Sequence, residues 1–445
     1  MRITHAAILL ASSLIITACG GSNAPVKSPL WQNASNDTWL RDHIGLHAQA
    51  DGDLVFLYQN DDTLYYRRID NSGALQFQQQ YSIGANGVSV AGVHPVAGGG
   101  LLVVTHDDAL FYFDANDNLV SRYAWFERGY RFVNVLAIND ERICLSSGED
   151  DQTHLRCLKP DGTPIWEATL ADVEFHNGLF RGGLDAAGNL YTASADGETS
   201  LLVQAYSSNG AALWQHAESV AAYPSVQAVA AIGGNLVVGA NVRGDDNVIH
   251  TLTLGLDAAA GTRTGVSDVT RDVEYLKILP YDQDSYVLLE EALSTGAVTM
   301  RRLGTDGHQH WVVKNLAAGG VGAGSSGLTN IEVKLDDAGN IVVLHNVRNL
   351  LPALVDGVLG LRVTDNFSLS RYRTNGTLAK KDAISRSTYK VGEYGAITDG
   401  EFDFRPYDFV ARNGHYYVAA GDIPPGVDPD TVLEGLVPTV LDFAY

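Results

Sequence analysis

The chain of 445 residues carries 52 acidic and 30 basic side chains, a formal net charge of -22, while 45% of its residues are hydrophobic and 46 are glycine. This composition is sufficient for an extensive core with frequent turns, and it favours one large repeat domain of β structure. Because affinity for phosphate groups comes from lysine and arginine, the acidic balance argues against nucleic acid and anionic lipid headgroups as partners.

Residues 1–18 have the form of a secretory signal peptide. Arg2 precedes an apolar run over residues 6–16, which is shorter than the about 20 residues that a membrane-spanning helix needs. The run leads into Ile-Thr-Ala before Cys19, and this ending resembles the lipobox of bacterial lipoproteins, in which the signal is cleaved before a cysteine that receives a lipid. The alternative is ordinary secretion with Cys19 unmodified or removed.

Residues 19–30 would then be the lipidated cysteine and a flexible tether rich in glycine, serine and proline. Gly20 rather than aspartate follows the cysteine. In this class of lipoproteins, that resemblance implies sorting to the bacterial outer membrane, with palmitate among the attached acyl chains. The domain over residues 31–445 would face either the periplasm or the outside of the cell.

A recurring pattern within residues 31–445 joins a strand, an Asp/Asn-Gly turn and a tryptophan four residues after the turn glycine. The clearest copies are CLKPDGTPIWEATL at residues 157–170, AYSSNGAALWQHA at residues 205–217 and RLGTDGHQHWVVKN at residues 302–315. Self-similarity at a period of a few tens of residues indicates a repeat architecture. We expect these tryptophans to pack between neighbouring repeats, and a sugar-binding or quinone-binding platform is the alternative.

Seven units of this kind follow one another along the chain. They are recognised near Asp53, Gly100, Cys144, Gly188, Gly234, Asp284 and Gly339. Residues 414–421 and 439–445 look like the second and third strands of an eighth unit, and residues 28–35 look like its fourth strand. We therefore predict an all-β fold, a β-propeller of about eight four-stranded blades, with the ring closed by pairing of the N-terminal and C-terminal strands.

Cys144 and Cys157 flank an acidic hairpin tip in ICLSSGEDDQTHLRC. A turn centred between Asp150 and Asp151 would place the two cysteines directly across from each other. In an oxidising compartment this arrangement predicts a structural cross-strand disulfide, which would stabilise the fold by about 3 kcal/mol.

The Asp/Asn-Gly-x-x-x-Trp units resemble the repeats of pyrroloquinoline-quinone-type propellers, and the Asp-x-x-Gly-Asn turns at residues 185–189 and 336–340 resemble those of related bacterial propeller repeats. Within that family, the lipid-anchored propeller of the outer-membrane β-barrel assembly machinery is similar in cellular location, approximate size and blade count. The resemblance implies a non-catalytic scaffold that holds envelope proteins, outer-membrane assembly components among them, through loops between blades.

The quinoprotein dehydrogenases are the enzymatic relatives in this family. They usually carry a disulfide between adjacent cysteines beside the cofactor and a Glu/Asn/Asp set that holds calcium. In this chain no two cysteines are adjacent. We therefore predict no catalytic residue and no required cofactor.

Two polar clusters could nevertheless hold a cation. Asp399, Glu401 and Asp403 alternate with phenylalanines in TDGEFDFRPYDF and could form a calcium site near the channel mouth, or else a charged edge strand. His308 and His310 would project from one face of a strand and could share a metal ion, or else be a solvated pair.

The seventh unit carries an insertion at residues 346–362, NVRNLLPALVDGVLGLR, which is unusually apolar for a loop. Leu350, Leu351, Leu354 and Val355 lie close together in it, and an exposed apolar patch usually marks a contact surface. The alternative is that the loop folds back over a blade as additional core.

The leading functional hypothesis is therefore an outer-membrane lipoprotein propeller that acts as a protein-binding scaffold in envelope assembly or maintenance. The alternative is a periplasmic or surface enzyme, or a sugar-binding or small-ligand-binding propeller, with its site in the central channel.

Overall fold

A computed structural model describes residues 26–34, 44–49, 51–60, 63–82, 90–96, 98–105, 109–124, 131–149, 152–170, 180–220, 223–243, 248–265, 268–271, 273–292, 297–314, 316, 331–355, 358–391, 397–401, 405–422 and 437–445. Within these ranges every named element is a β-strand. The same ranges contain no helix long and apolar enough to cross a membrane.

The strands form eight antiparallel sheets, the blades, whose members follow one another along the chain. Blade 1 contains β2 (Ile44–Ala48), β3 (Leu54–Asn60), β4 (Thr63–Ile69) and β5 (Leu75–Ser82). Blade 2 contains β6 (Val90–Val96), β7 (Gly100–Thr105), β8 (Ala109–Phe113) and β9 (Leu119–Ala124). Blade 3 contains β10 (Arg131–Ile138), β11 (Ile143–Glu149), β12 (Gln152–Leu158) and β13 (Pro164–Leu170). Blade 4 contains β14 (Arg181–Leu184), β15 (Leu190–Ala195), β16 (Ser200–Tyr206) and β17 (Ala212–Ser219).

The second half of the ring repeats this order with two variations. Blade 5 contains β18 (Pro224–Ile232), β19 (Asn235–Arg243), β20 (Ile249–Asp257) and β21 (Asp268–Arg271). Blade 6 contains β22 (Val273–Pro280), β23 (Ser285–Ala292), β24 (Ala297–Gly304) and β25 (Gln309–Val313). Blade 7 has five strands, β26 (Ile331–Leu335), β27 (Ile341–Val355), β28 (Val358–Tyr372), β29 (Leu378–Val391) and β30 (Ile397–Glu401). Blade 8 contains β31 (Arg405–Arg412), β32 (His415–Asp422), β33 (Val437–Ala444) and β1 (Trp31–Ala34).

The ring is closed by the pairing of the two ends of the chain. Strand β1 is antiparallel to β33, with Trp31 opposite Asp442 and Ala34 opposite Thr439. The backbone N–H of Leu30 also donates to the Asp442 carbonyl at 2.6 Å. The predicted eight-bladed propeller and its closure by terminal strands are therefore confirmed, with a fifth strand in blade 7 as the departure.

The second and third strands of the blades are buried on both faces. In β3, Leu54 and Phe56 pack into a cluster shared with blade 8, whereas Val55 and Leu57 pack into a cluster shared with blade 2. All four side chains are fully buried. Because successive strand residues point to opposite faces, each blade is packed between two neighbours, which accounts for the nearly continuous apolar runs in the sequence.

Aromatic side chains from one blade pack on the turn between the third and fourth strands of the next blade. Each ring contacts a turn glycine and occupies the space that a Cβ atom on that glycine would need. The pairs are Tyr123 with Gly162, Trp166 with Gly210, Trp214 with Gly261, and Trp311 with Gly376. The four glycines have φ between 67 and 87°, a conformation that L residues rarely adopt. The expectation that the tryptophans lie between blades is confirmed.

The turns between the first and second strands of blades 4 and 7 follow the predicted Asp-x-x-Gly-Asn pattern. A carboxylate oxygen of Asp185 accepts hydrogen bonds from the backbone N–H groups of Ala187 and Asn189, both at 2.9 Å. Gly188 takes a positive φ of 78°. The turn at residues 336–340 repeats these contacts. The short aspartate side chain thus replaces backbone partners that the tight turn cannot supply.

Cys144 in β11 and Cys157 in β12 lie directly opposite each other and form the predicted disulfide. Their Cα atoms are 4.1 Å apart, and both residues are fully buried in the cluster between blades 3 and 4. The bridge therefore connects the two central strands of blade 3.

The prediction of an apolar loop over residues 346–362 is wrong. Strands β27 and β28 run through this segment and pair continuously from Ile341 with Tyr372 to Val355 with Val358. The connection at residues 356–357 is Asp-Gly, a sequence preferred in two-residue hairpin turns. The apolar residues are therefore strand residues.

The paired strands of blade 7 continue well beyond its first strand. Strand β26 pairs with β27 only as far as His345, so residues 346–355 extend past it by about 30 Å at the usual rise per strand residue. Strands β29 and β30 accompany this extension on its other side. We call residues 346–355, 358–367, 385–391 and 397–401 the blade 7 arm.

We predict that Gly210→Ala destabilises the protein by about 2–4 kcal/mol, because a Cβ atom would lie 2.8 Å from the Trp166 ring in a backbone conformation already unfavourable for alanine. Gly197→Ala is the matched control, since Gly197 also has a positive φ but no atom within 4 Å of its Cβ position. Chemical denaturation should show a loss of about 1–2 kcal/mol for the control, from backbone strain alone. Equal losses in the two variants would contradict the packing role of the glycine.

Candidate functional site

The first strands of most neighbouring blades contact each other, which places them around the central channel. Ionisable side chains are concentrated on these strands in blades 1, 2, 6, 7 and 8. Among them are His47, His94, Lys277, Glu332, Lys334 and Asp408, and Arg412 ends the first strand of blade 8. We call the first six of these residues the inner ring, and they form the candidate functional site.

Two members of the inner ring follow β-bulges. The pairing of β22 with β23 shifts between Tyr275 and Lys277, and the pairing of β31 with β32 shifts between Pro406 and Asp408. A bulge adds one residue to a strand and redirects the side chains that follow it. The irregular first strands therefore aim Lys277 and Asp408 toward the adjacent blade.

Charged contacts cross three successive blade interfaces. Lys277 Nζ of blade 6 lies 2.6 Å from Glu332 Oε2 of blade 7. Lys334 of blade 7 forms an ion pair with Asp408 of blade 8. The other carboxylate oxygen of Asp408 accepts a hydrogen bond from the backbone N–H of Leu46 in blade 1 at 3.0 Å. These contacts link blades 6, 7, 8 and 1 at their inner edges.

The two histidines of the inner ring have lowered pKa values. Burial lowers the pKa of His47, and the positive charges of Lys334 and Arg412 lower it further, against an opposing effect of Asp408. Burial lowers the pKa of His94 to about 4, with a smaller contribution from the charge of His47. His94 is therefore neutral at neutral pH, and its imidazole can donate and accept hydrogen bonds.

The predicted histidine pair lies away from the inner ring. His310 belongs to the outermost strand of blade 6, β25, and His308 to the turn before it; both are exposed. Their rings contact edge to face, with centroids 5.3 Å apart. In the described part of the chain, no group of three or more His, Cys, Asp or Glu residues is arranged to hold a metal ion.

The predicted acidic cluster also lies away from the channel. Asp399 and Glu401 belong to β30, which is at the opposite edge of blade 7 from the first strand β26, and Asp403 lies outside the described residues. The backbone of Asp399 and Glu401 therefore lies away from the innermost strand of the blade, and the cation site stays a prediction. The backbone position agrees with the alternative, an edge strand that carries charge.

The apolar candidates Leu350, Leu351, Leu354 and Val355 all belong to β27 within the blade 7 arm. The register places them opposite Val363, Arg362, Leu359 and Val358 of β28, respectively. The lipidation candidate Cys19 lies outside the described residues.

The inner ring was not found from the sequence. Its members are spread over five blades and have no common spacing from the Asp/Asn-Gly turns. The sequence signal closest to it is Glu-Val-Lys at residues 332–334, an alternating charged pair directly before the turn at residues 336–340.

No family model matches the chain, and no curated protein matches it. Among solved structures, a chain from a structural and mechanistic analysis of two prolyl endopeptidases aligns at 11% identity and a TM-score of 0.41, over 74% of this chain and 54% of that one. A europium-containing methanol dehydrogenase aligns at 10% identity and a TM-score of 0.38, over 93% of both chains. This chain thus spans about half of the first structure and nearly all of the second.

We predict that the free energy of unfolding falls as the pH decreases from 6.5 to about 4, because protonation of His94 favours the unfolded chain, where imidazole has its ordinary pKa. Above pH 6.5 the imidazole is neutral in both states, so this contribution is constant. Denaturant titrations at several pH values should give a shallower dependence for His94→Gln than for the wild type. His345, whose pKa burial lowers to about 3, should sustain the remaining slope. Identical slopes for the two proteins would contradict the prediction.

Proposed function

We propose that this chain is an outer-membrane-anchored lipoprotein whose propeller is a non-catalytic protein-binding scaffold in envelope assembly or maintenance. The anchor is supported by the lipobox-like sequence ending at Cys19 and by the tether up to residue 30. The binding role is supported mainly by the blade 7 arm, which extends past the first strand of its blade.

The arm differs from the rest of the propeller in length. The strands that run into it, β27, β28 and β29, have 15, 15 and 14 residues, whereas the corresponding strands of blade 6 each have 8 residues or fewer. Its sequence contains the apolar cluster that includes Leu351 and Leu354. A strand pair that continues past the first strand of its blade is the kind of element through which scaffolds bind partners.

Side-chain hydrogen bonds hold the base of the arm. The buried amide of Asn346 in β27 donates to a carboxylate oxygen of Asp365 in β28 at 3.1 Å. Arg386 Nε in β29 donates to Asn366 Oδ1 in β28 at 2.9 Å. These contacts cross two successive strand pairs, so the arm is fixed to the blade, and a preorganised element loses less entropy when it binds.

We predict that the double variant Leu351→Asp and Leu354→Asp lowers recovery of crosslinked envelope proteins by about tenfold or more, because charges at an apolar contact are desolvated without partners. Leu378→Asp is the matched control, since Leu378 lies on the same blade and is 50% exposed. Recovery is measured by mass spectrometry after crosslinking in intact envelopes, and melting temperatures should stay within about 2 °C of the wild type. Unchanged recovery would contradict the contact role, and a large loss of thermal stability would show that the arm is part of the core.

We predict that Cys19→Ala moves the protein from the membrane fraction to the soluble fraction, because the variant lacks the sulfur that would carry the lipid. Labelled palmitate should be incorporated by the wild type and not by the variant. Membrane association that survives the substitution would contradict the lipid anchor and leave the scaffold to be tested separately.

A second candidate function is suggested by the inner ring, where lysine, carboxylate and neutral imidazole groups lie on the first strands of five consecutive blades. Such a set could bind a small polar ligand there, as an enzyme or a sugar-binding propeller would. Native mass spectrometry of the purified protein tests this candidate. A copurified small molecule, lost in the Lys334→Ala variant, would favour it over the scaffold.

A further inference from the structure

The tryptophan that packs on the next blade is absent from blade 5. In blades 3, 4 and 6 the tryptophan stands four residues after the turn glycine. In blade 5 the turn glycine is Gly261, and the residue four positions later is Gly265. Blade 5 therefore has the hydrogen atom of Gly265 at the position from which a tryptophan ring would cover the turn of blade 6.

The pairing of the strands confirms this equivalence. Leu256, five residues before the turn glycine of blade 5, bridges Arg263, two residues before Gly265. In blade 4, Tyr206 pairs in the same way with Ala212, two residues before the tryptophan. Gly265 approaches the turn of blade 6 closely enough that its Cβ position is 3.3 Å from a carbonyl oxygen of that turn.

A cavity of about 50 Å³ lies between blades 5 and 6 and borders the turn of blade 6. Gly307, the turn glycine of blade 6, and Gly255 of β20 contribute to its lining. Val237, Leu303 and Thr305 contribute apolar and hydroxyl-bearing side chains. We call this cavity the blade 5 slot.

The side chains around the slot differ in size from those of the occupied interfaces. Leu303 stands four residues before its turn glycine, the position from which Tyr206 stacks on Trp166 with ring centroids 6.0 Å apart. Val237 stands at the position of Tyr191, whose ring centroid lies 6.0 Å from that of the blade 4 tryptophan. Tyr286, which pairs with Leu303, lines the slot from the position that Leu190 holds in blade 4. The slot therefore has an aromatic wall against which a small planar ring can pack.

An acceptor for a ring N–H is also in place. In blade 6, Trp311 Nε1 donates to the carbonyl oxygen of Thr374 at 3.0 Å, and Thr374 lies two residues before the turn glycine Gly376. Thr305 lies two residues before Gly307 in the corresponding turn of blade 6, which faces blade 5. Its carbonyl oxygen therefore occupies the position that accepts the Trp311 N–H at the blade 6–blade 7 interface.

We infer that the blade 5 slot binds a small free molecule of the indole class, with one face of the ring on Gly307 and its N–H donating to the Thr305 carbonyl. The cavity is smaller than an indole, but Trp214 and Trp311 are themselves only partly buried in their slots. A ring in the blade 5 slot would likewise have its inner part enclosed and its outer edge in solvent.

The test uses indole as the probe and the full-length purified protein. Isothermal titration calorimetry should give a dissociation constant on the order of 1 mM or tighter, and indole should raise the melting temperature. Indene, which has the same shape without the N–H, should bind about tenfold more weakly.

Two variants that fill the slot should abolish binding. Gly265→Trp supplies the missing ring from the chain itself and should raise the melting temperature. Gly255→Val fills the slot from another wall, and its Cβ atom would make only ordinary contacts, the nearest atoms being 3.5 Å away. This second variant keeps the test decisive if Gly265→Trp does not fold.

Trp311→Gly is the positive control, because it opens an equivalent slot at the blade 6–blade 7 interface. It should lower the melting temperature, regain stability in the presence of indole and bind two equivalents. If wild-type protein does not bind indole while Trp311→Gly does, or if Gly255→Val binds indole as tightly as the wild type, the assignment of the blade 5 slot is overturned.

Discussion

The contact between an aromatic ring and the turn glycine of the next blade determines how the propeller is put together. A residue with a Cβ atom at Gly210 would strike the Trp166 ring, so the flat approach of one blade to the next requires glycine there. Blades 3 and 4 each supply a ring to the following blade and a glycine to the ring of the preceding blade, so each of them positions its successor. Blade 2 has Asp117 in the place of the glycine, with a φ of 63°, and there Arg68 of blade 1 forms an ion pair with its carboxylate at 2.7 Å. At this turn an ion pair between the two blades accompanies the absence of the glycine.

The number of blades and the ring closure could be predicted from the sequence because both depend on local, repeated signals. Turn glycines and apolar runs recur along the chain, tryptophans follow four residues later in blades 3, 4 and 6, and the incomplete units at the two ends complement each other. The disulfide was predictable for the same reason, since Cys144 and Cys157 are symmetric about one short hairpin tip.

The blade 7 arm and the inner ring could not be predicted in the same way. An apolar segment such as residues 346–355 is identified as a strand by its partners, and these lie in β28 and in the strands after it, not in the segment itself. The inner ring depends on bulges before Lys277 and Asp408 and on contacts between different blades. Neither leaves a periodic trace in the sequence, because a bulge changes the direction of side chains without changing their order.

The closure of the ring by β1 and β33 also sets an order of events in folding. The N-terminal strand is the first to be synthesised, but its partner is among the last residues of the chain. Blade 8 therefore cannot form until residues 437–444 have been synthesised. Until then β1 has no strand to pair with, and an unpaired strand is a template for pairing between molecules. The N-terminal strand thus stays unpaired through the synthesis of the seven blades that separate it from its partner.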